Sequence, residues 1–194
     1  MKRILLMFTL CLCGALLMPF GAGADDAGGI LIKPGTLLHA QQALERYDAT
    51  GEPVLQYFET WLDASRMLQR EVGADGHPLS YAFSGEGKHL AWEADTLKAV
   101  VMEESGVFFP DYAVLKTGFG METAVKNQLY ASRPCTSVFL ENPENEGDWL
   151  KIHLDDETGF ALFCQAPLFR LRTSVLESLP ADERLLTPPD ALSY

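Results

Sequence analysis

Apolar and polar positions change their rhythm twice along this chain. From Thr36, Leu37, Leu38, Gln41, Leu44 and Tyr47 recur at three- and four-residue steps, the spacing of one helical face, and Gly51 follows as a stop. A second helical run opens at Pro53, a residue suited to a first turn, with Val54, Leu55, Phe58, Trp61, Leu62, Leu68 and Val72 as its stripe. The short Thr50-Gly51-Glu52 link between them predicts an antiparallel helical hairpin.

After Gly73-Ala74-Asp75-Gly76 the segments become short and strand-like. Leu79 to Phe83 and His89 to Glu93 flank a glycine-containing linker and predict a β-hairpin. Residues 97–102 fit helix or strand, with Ala99-Val100-Val101 favouring strand, and Val107 to Lys116 is β-rich with a bend or sheet edge at Pro110. Met121 to Ala131 returns to helical character. Ser137–Glu141, Trp149–Leu154 and Phe160–Gln165 predict an antiparallel meander, its last turn eased by Gly159. A short helix over Ser174 to Leu179 would close the domain.

The N-terminus changes the accounting of the whole. Met1-Lys2-Arg3, an uncharged run from Ile4 to Phe20, and Ala22-Gly23-Ala24 form the basic, apolar and small-residue regions of a cleaved secretory signal over residues 1–24. The chain of 194 residues carries a net charge of -12; removing Lys2 and Arg3 from its 15 basic residues leaves 13 against 27 acidic ones, a net of -14. Such a balance disfavours nucleic acid and anionic membrane surfaces, which need clustered Lys and Arg, and favours a basic partner. No second apolar run remains for stable membrane insertion. In an exported chain, the two remaining cysteines, Cys135 and Cys164, predict a disulfide, closing a loop of about 30 residues worth about 3–4 kcal/mol.

The expected organisation is therefore a signal at 1–24, a glycine-rich flexible arm at 25–35, a single domain at 36–180 and a mobile C-terminal tail at 181–194. The expected fold class is α+β: an N-terminal helical hairpin packed on a mainly antiparallel β-sheet, with one disulfide.

Candidate chemistry is sparse. His39, His77, His89 and His153 lack metal-ligand spacing. Gly85-Glu86-Gly87-Lys88 has Ala82 and His89 where a phosphate-binding loop needs Gly and Ser or Thr. No G-x-S-x-G elbow occurs. Lys151 and His153 alternate with Ile152 and Leu154 and should share the solvent face of a strand. The densest polar feature is Glu141, Glu144, Glu146 and Asp148 around Asn142 and Asn145, followed by Asp155, Asp156 and Glu157. Read as an EF-hand from Asn142 it fails at the twelfth position, His153, leaving only a loose calcium site. Trp149 and Phe139 beside it offer aromatic anchors.

Three functional classes follow. The first is a periplasmic, or alternatively secreted, protein-binding inhibitor or immunity-type protein that neutralises a toxic envelope-acting enzyme. It would use Glu141, Glu144, Glu146, Asp148, Trp149, Asp155, Asp156 and Glu157, with neither catalytic residues nor a cofactor. The second is a small hydrolase using His153, Asp155 and Glu157 for acid–base work. The third is a calcium- or small-ligand-binding envelope module.

Overall fold

The computed structural model describes residues 29–193 apart from 48, 49, 120 and 146. The segment expected to be a signal lies outside them. The described chain forms one sheet of eleven strands: β1 (Thr36–Tyr47), β2 (Pro53–Leu62), β3 (Arg66–Val72), β4 (Pro78–Gly85), β5 (Lys88–Glu93), β6 (Ala99–Val101), β7 (Met121–Tyr130), β8 (Arg133–Glu141), β9 (Trp149–Asp155), β10 (Ala161–Ala166) and β11 (Phe169–Pro180). Their order is β6-β5-β4-β3-β2-β1-β11-β10-β9-β8-β7, and every neighbouring pair is antiparallel.

The expected α+β class is thereby corrected to nearly all sheet. The predicted helical hairpin is instead β1, β2 and β3. Period-two alternation was hidden there because its core-facing positions include buried Gln42, Thr60 and Gln69, while Leu37 and Trp61 on the opposite face are buried as well. Met121 to Ala131 is strand β7 rather than helix; its side chains from Glu122 to Leu129 are exposed, so no buried face imposed an alternation. Ser174 to Leu179 continues β11. The β4–β5 hairpin and the β8–β9–β10 meander form where expected.

The expected disulfide does not form. Cys135 and Cys164 are free and buried, on β8 and β10 with β9 between them. Two strand spacings put their backbones at least ~9.5 Å apart, beyond the ~7 Å reach of a disulfide. Both thiols serve as small apolar core groups, Cys164 among Leu171, Ile152 and Leu150 and Cys135 among Phe160 and Leu162.

Residues 102–119 connect β6 at one edge of the sheet to β7 at the other, so they must cross its inner face. Ten strand gaps span about 48 Å if flat, and 18 extended residues reach about 60 Å. A helical turn, α1 (Tyr112–Leu115), and the 3-10 turn that follows it (Lys116–Gly118) shorten this strap. Its side chains build the core: Val107 and Phe109 pack with Leu38, Ala40, Leu62 and Met67, while Phe108, Tyr112 and Leu115 pack with Leu44, Phe58, Leu140 and Ile152. Gln69 pins it. The side-chain amide accepts from Phe108 N–H at 2.9 Å and donates to Phe108 C=O at 2.9 Å, with Thr60 Oγ1 at 3.0 Å. Tyr112 Oη donates to Glu122 of β7 at 2.6 Å and Lys116 pairs with the same carboxylate at 2.9 Å, which fixes the strap's far end.

The segment after β11 covers part of the outer face. Leu185 and Leu186 pack with Leu37, Trp61, Leu68 and Leu179, and Leu192 packs with Phe83, Leu90 and Trp92. Arg66 reaches both Asp63 and Glu183, and Ser193 pairs with Lys98 beside β6, hydrogen-bonding to Leu97 and Ala99. At the other terminus, Ile30 and Ile32 pack on the core and Leu31 N–H donates to Thr158 C=O. No helix among the described residues is long and apolar enough to cross a membrane.

Candidate protein-binding surface

Alternation along the strands assigns the two faces of the sheet. On β8, β9, β10 and β11, Val138, Leu140, Leu150, Ile152, Cys164 and Leu171 face the core, so Ser137, Phe139, Lys151, His153, Phe163, Gln165, Arg170 and Arg172 face outward. Register aligns them into two rows across the strands. One runs Val125, Ser137, His153, Phe163 and Arg172; the other runs Thr123, Phe139, Lys151, Gln165 and Arg170. The C-terminal segment that packs on the outer side of β1 to β5 contributes no packed residue here.

The aromatic members are in mutual contact. Tyr130, His153 and Phe163 have ring centroids 5.2–5.5 Å apart, and Phe139 lies 6.0 Å from Trp149. All five are half-buried. His153 Nδ1 lies 2.6 Å from Ser137 Oγ, and burial, aided by the positive charge of Lys151, holds its pKa below the ordinary imidazole value. The ring is therefore neutral near pH 7. Around the rings stand three cations: Lys151 and Arg172 are exposed, and Arg170 reaches only a loose 3.9 Å approach to Glu45.

The rows end at β7, whose outer edge has no strand beside it among the described residues. Val125 and Leu129 are 49% and 75% exposed. A bulge between Val125 and Gln128, with Asn127 at φ 59°, interrupts its pairing with β8, and the two-residue turn Ala131-Ser132 takes positive φ at both positions. The opposite edge, β6, is only three residues long and is met at Ala99 by Ser193.

The sequence-predicted site residues are divided between the two ends of β9. At one end, Glu141 lies opposite Trp149, and Glu144 and Asp148 occupy the exposed β8–β9 loop, where Asn142 donates to Asp148 and accepts from Glu144 N–H. Glu146 lies outside the described residues. At the other end, Asp155 is buried and serves the fold: Arg133 Nε donates to it at 2.8 Å and Thr158 donates through both N–H and hydroxyl. Burial raises its pKa, but these bonds and the guanidinium charge outweigh that and lower it. Asp156 accepts from Thr136 and Glu157 pairs with Lys33. The two acidic groups do not make one patch. No cluster of three or more His, Cys, Asp or Glu fit to hold a metal ion occurs among the described residues.

Sequence reasoning identified Lys151 and His153 as outward-facing but missed Arg170 and Arg172. Their signal was the alternation Arg170-Leu171-Arg172, which only reads as a strand once β11 is recognised.

This arrangement of one long antiparallel sheet, strapped across its inner face, has counterparts among solved structures. The fold resembles that of MucB. The chain aligns with MucB in the Pseudomonas aeruginosa MucA/MucB complex at a TM-score of 0.54 and 16% identity, covering 79% of this chain and 56% of that one. Against MucB solved by itself the TM-score is 0.50 at 15% identity, covering 79% and 57%. The chain thus spans little more than half the length of the MucB chains it matches. A LolA superfamily protein from Nitrosomonas europaea corresponds more loosely, at a TM-score of 0.42 and 6% identity over 80% of this chain and 92% of that one. No protein-family model matches the sequence, and no curated protein matches it.

Proposed function

We propose that this chain is an envelope protein, acting in the periplasm, whose task is to bind another protein. The observation that carries the reading is the shared fold with MucB, which is found in complex with MucA. The basic and apolar N-terminus agrees with export. The open β7 edge next to an uncovered aromatic face supplies the physical means, because an extended segment can add to a free strand and place alternate side chains on the neighbouring rows.

Binding is favoured over catalysis because the side chains considered for acid–base work are engaged separately. His153 contacts Ser137, Asp155 contacts Arg133 and Thr158, and Glu157 contacts Lys33. Neutralisation of a toxic enzyme is a narrower reading to which the fold adds no support of its own.

Photo-crosslinking tests the proposal. A benzophenone amino acid at position 125 or 129 in the exported protein should yield one recurrent protein adduct, and the same group at Leu55, exposed on the outer side of β2, should not. Absence of adducts at both β7 positions under several growth conditions would refute it.

A further inference from the structure

We infer that the outer face of β8 to β11 is the docking surface of this protein-binding chain and that it takes an acidic, extended segment of the partner. The inference rests on the protein-binding reading above and reverses the expected sign of the partner's charge. Within a chain of net charge -12, Lys151 and Arg172 are exposed, have no ion pair among the described residues, and flank the aromatic rows. The acids nearest in register are Glu141, one row beyond Phe139, Asp155, one row beyond His153 but buried and paired with Arg133, and Glu45, loosely against Arg170. The neutral ring of His153 adds no charge between the cations and presents a flat face with Tyr130 and Phe163.

Register fixes the spacing that a ligand must satisfy. Lys151 is level with Gln165 on β10, and Arg172 is level with Phe163. Two strand spacings and a two-residue offset place the cations' backbones ~12 Å apart on one face. In an extended chain, residues four apart on one side are about 13 Å apart, with one side chain between them. The matching pattern is therefore acidic-x-apolar-x-acidic, its carboxylates on Lys151 and Arg172 and its central apolar group over Phe163 and Gln165. Charge pairs at such a surface give specificity and encounter rate, and the aromatic rows supply the area that excludes water.

The test uses the full exported chain and a capped nine-residue threonine peptide with Glu at its third and seventh positions and Leu at its fifth. Fluorescence anisotropy of the labelled peptide should show salt-sensitive binding that falls at least tenfold in K151E/R172E. The variant's unfolding midpoint should match the wild type, since both side chains are exposed. The same peptide with Lys for Glu should not bind. Equal binding to both chains, binding of the lysine peptide, or preference for anionic phosphatidylglycerol vesicles over the acidic peptide would overturn the inference. Retention of the β7 crosslink in K151E/R172E would also overturn it while sparing the protein-binding reading, whereas absence of any adduct in the wild type would remove that reading itself.

Discussion

Replacing Gln69 by Leu is the sharpest probe of how the strap is held. Gln69 is fully buried and closes two hydrogen bonds of 2.9 Å with the backbone of Phe108, one in each direction. Leucine of similar volume keeps the packing but leaves Phe108 N–H and C=O unpaired in the core. Each unsatisfied buried group costs about 1–3 kcal/mol, and the added apolar burial returns part of this. The expected net loss is about 3 kcal/mol, a drop of roughly 10 °C in melting temperature for a domain of this size. Urea unfolding should report the loss with an unchanged slope, and native-state hydrogen exchange should show the Phe108 amide losing protection more than the amides of β1. A loss below about 0.5 kcal/mol with unchanged Phe108 protection would refute the clamp.

Asp155→Ala should destabilise the protein by about 3 kcal/mol at pH 7, because it strips a buried carboxylate from Arg133 and Thr158; a change near zero in denaturant melts would show the pair is idle. Since the folded state lowers this carboxyl's pKa, its stabilisation is complete above the unfolded value of about 3.9 and is lost as pH falls through the lower folded value. Asp155→Asn should therefore flatten the acid limb of a melting-temperature profile, and an unaltered limb would contradict the assignment. Burial pushes the Cys164 thiol up to about 12 and also raises Cys135, so a thiol reagent at pH 8 should leave both unlabelled until denaturant is added; a peptide cross-linked through them would contradict the structure. Leu186→Ala should cost about 2–3 kcal/mol and shift Trp61 emission to the red, because Leu186 closes the cluster over Leu37 and Trp61; unchanged emission and stability would mean the C-terminal segment is not held there.

The parts of the fold legible in the sequence were short apolar runs bounded by glycine-containing turns. β4 and β5 are continuous buried runs joined through Gly87, the β8–β10 meander is a set of apolar runs separated by polar turns, and Gly87 and Gly159 take the positive φ their turns require. The parts that misled were those where a polar residue is buried because another polar residue answers it. Gln69 meets Thr60 and the strap, Gln42 meets Thr173, and Gln56 links Arg46 to Glu71; each of these breaks a period of two into something resembling 3.6. Long-range covering added to this, since Leu37 and Trp61 are buried by Leu186, more than 120 positions away. For the docking face, Lys151 and His153 were visible as an outward pair, but their meeting with Arg172 depends on register across three strands, which local pattern does not encode.

The unequal edges of the sheet also limit how copies of the chain can associate. Strand addition that repeats without end requires two free edges, one to give and one to receive. Here β6 offers only three residues, the first of them already bonded to Ser193, and the 125–128 bulge shortens the regular stretch on the β7 side. Contact through β7 can therefore join only like edge to like edge, and such a contact is complete at two molecules. A partner segment lying along β7 would use up that valence, so ligand binding and self-pairing would compete for one strand.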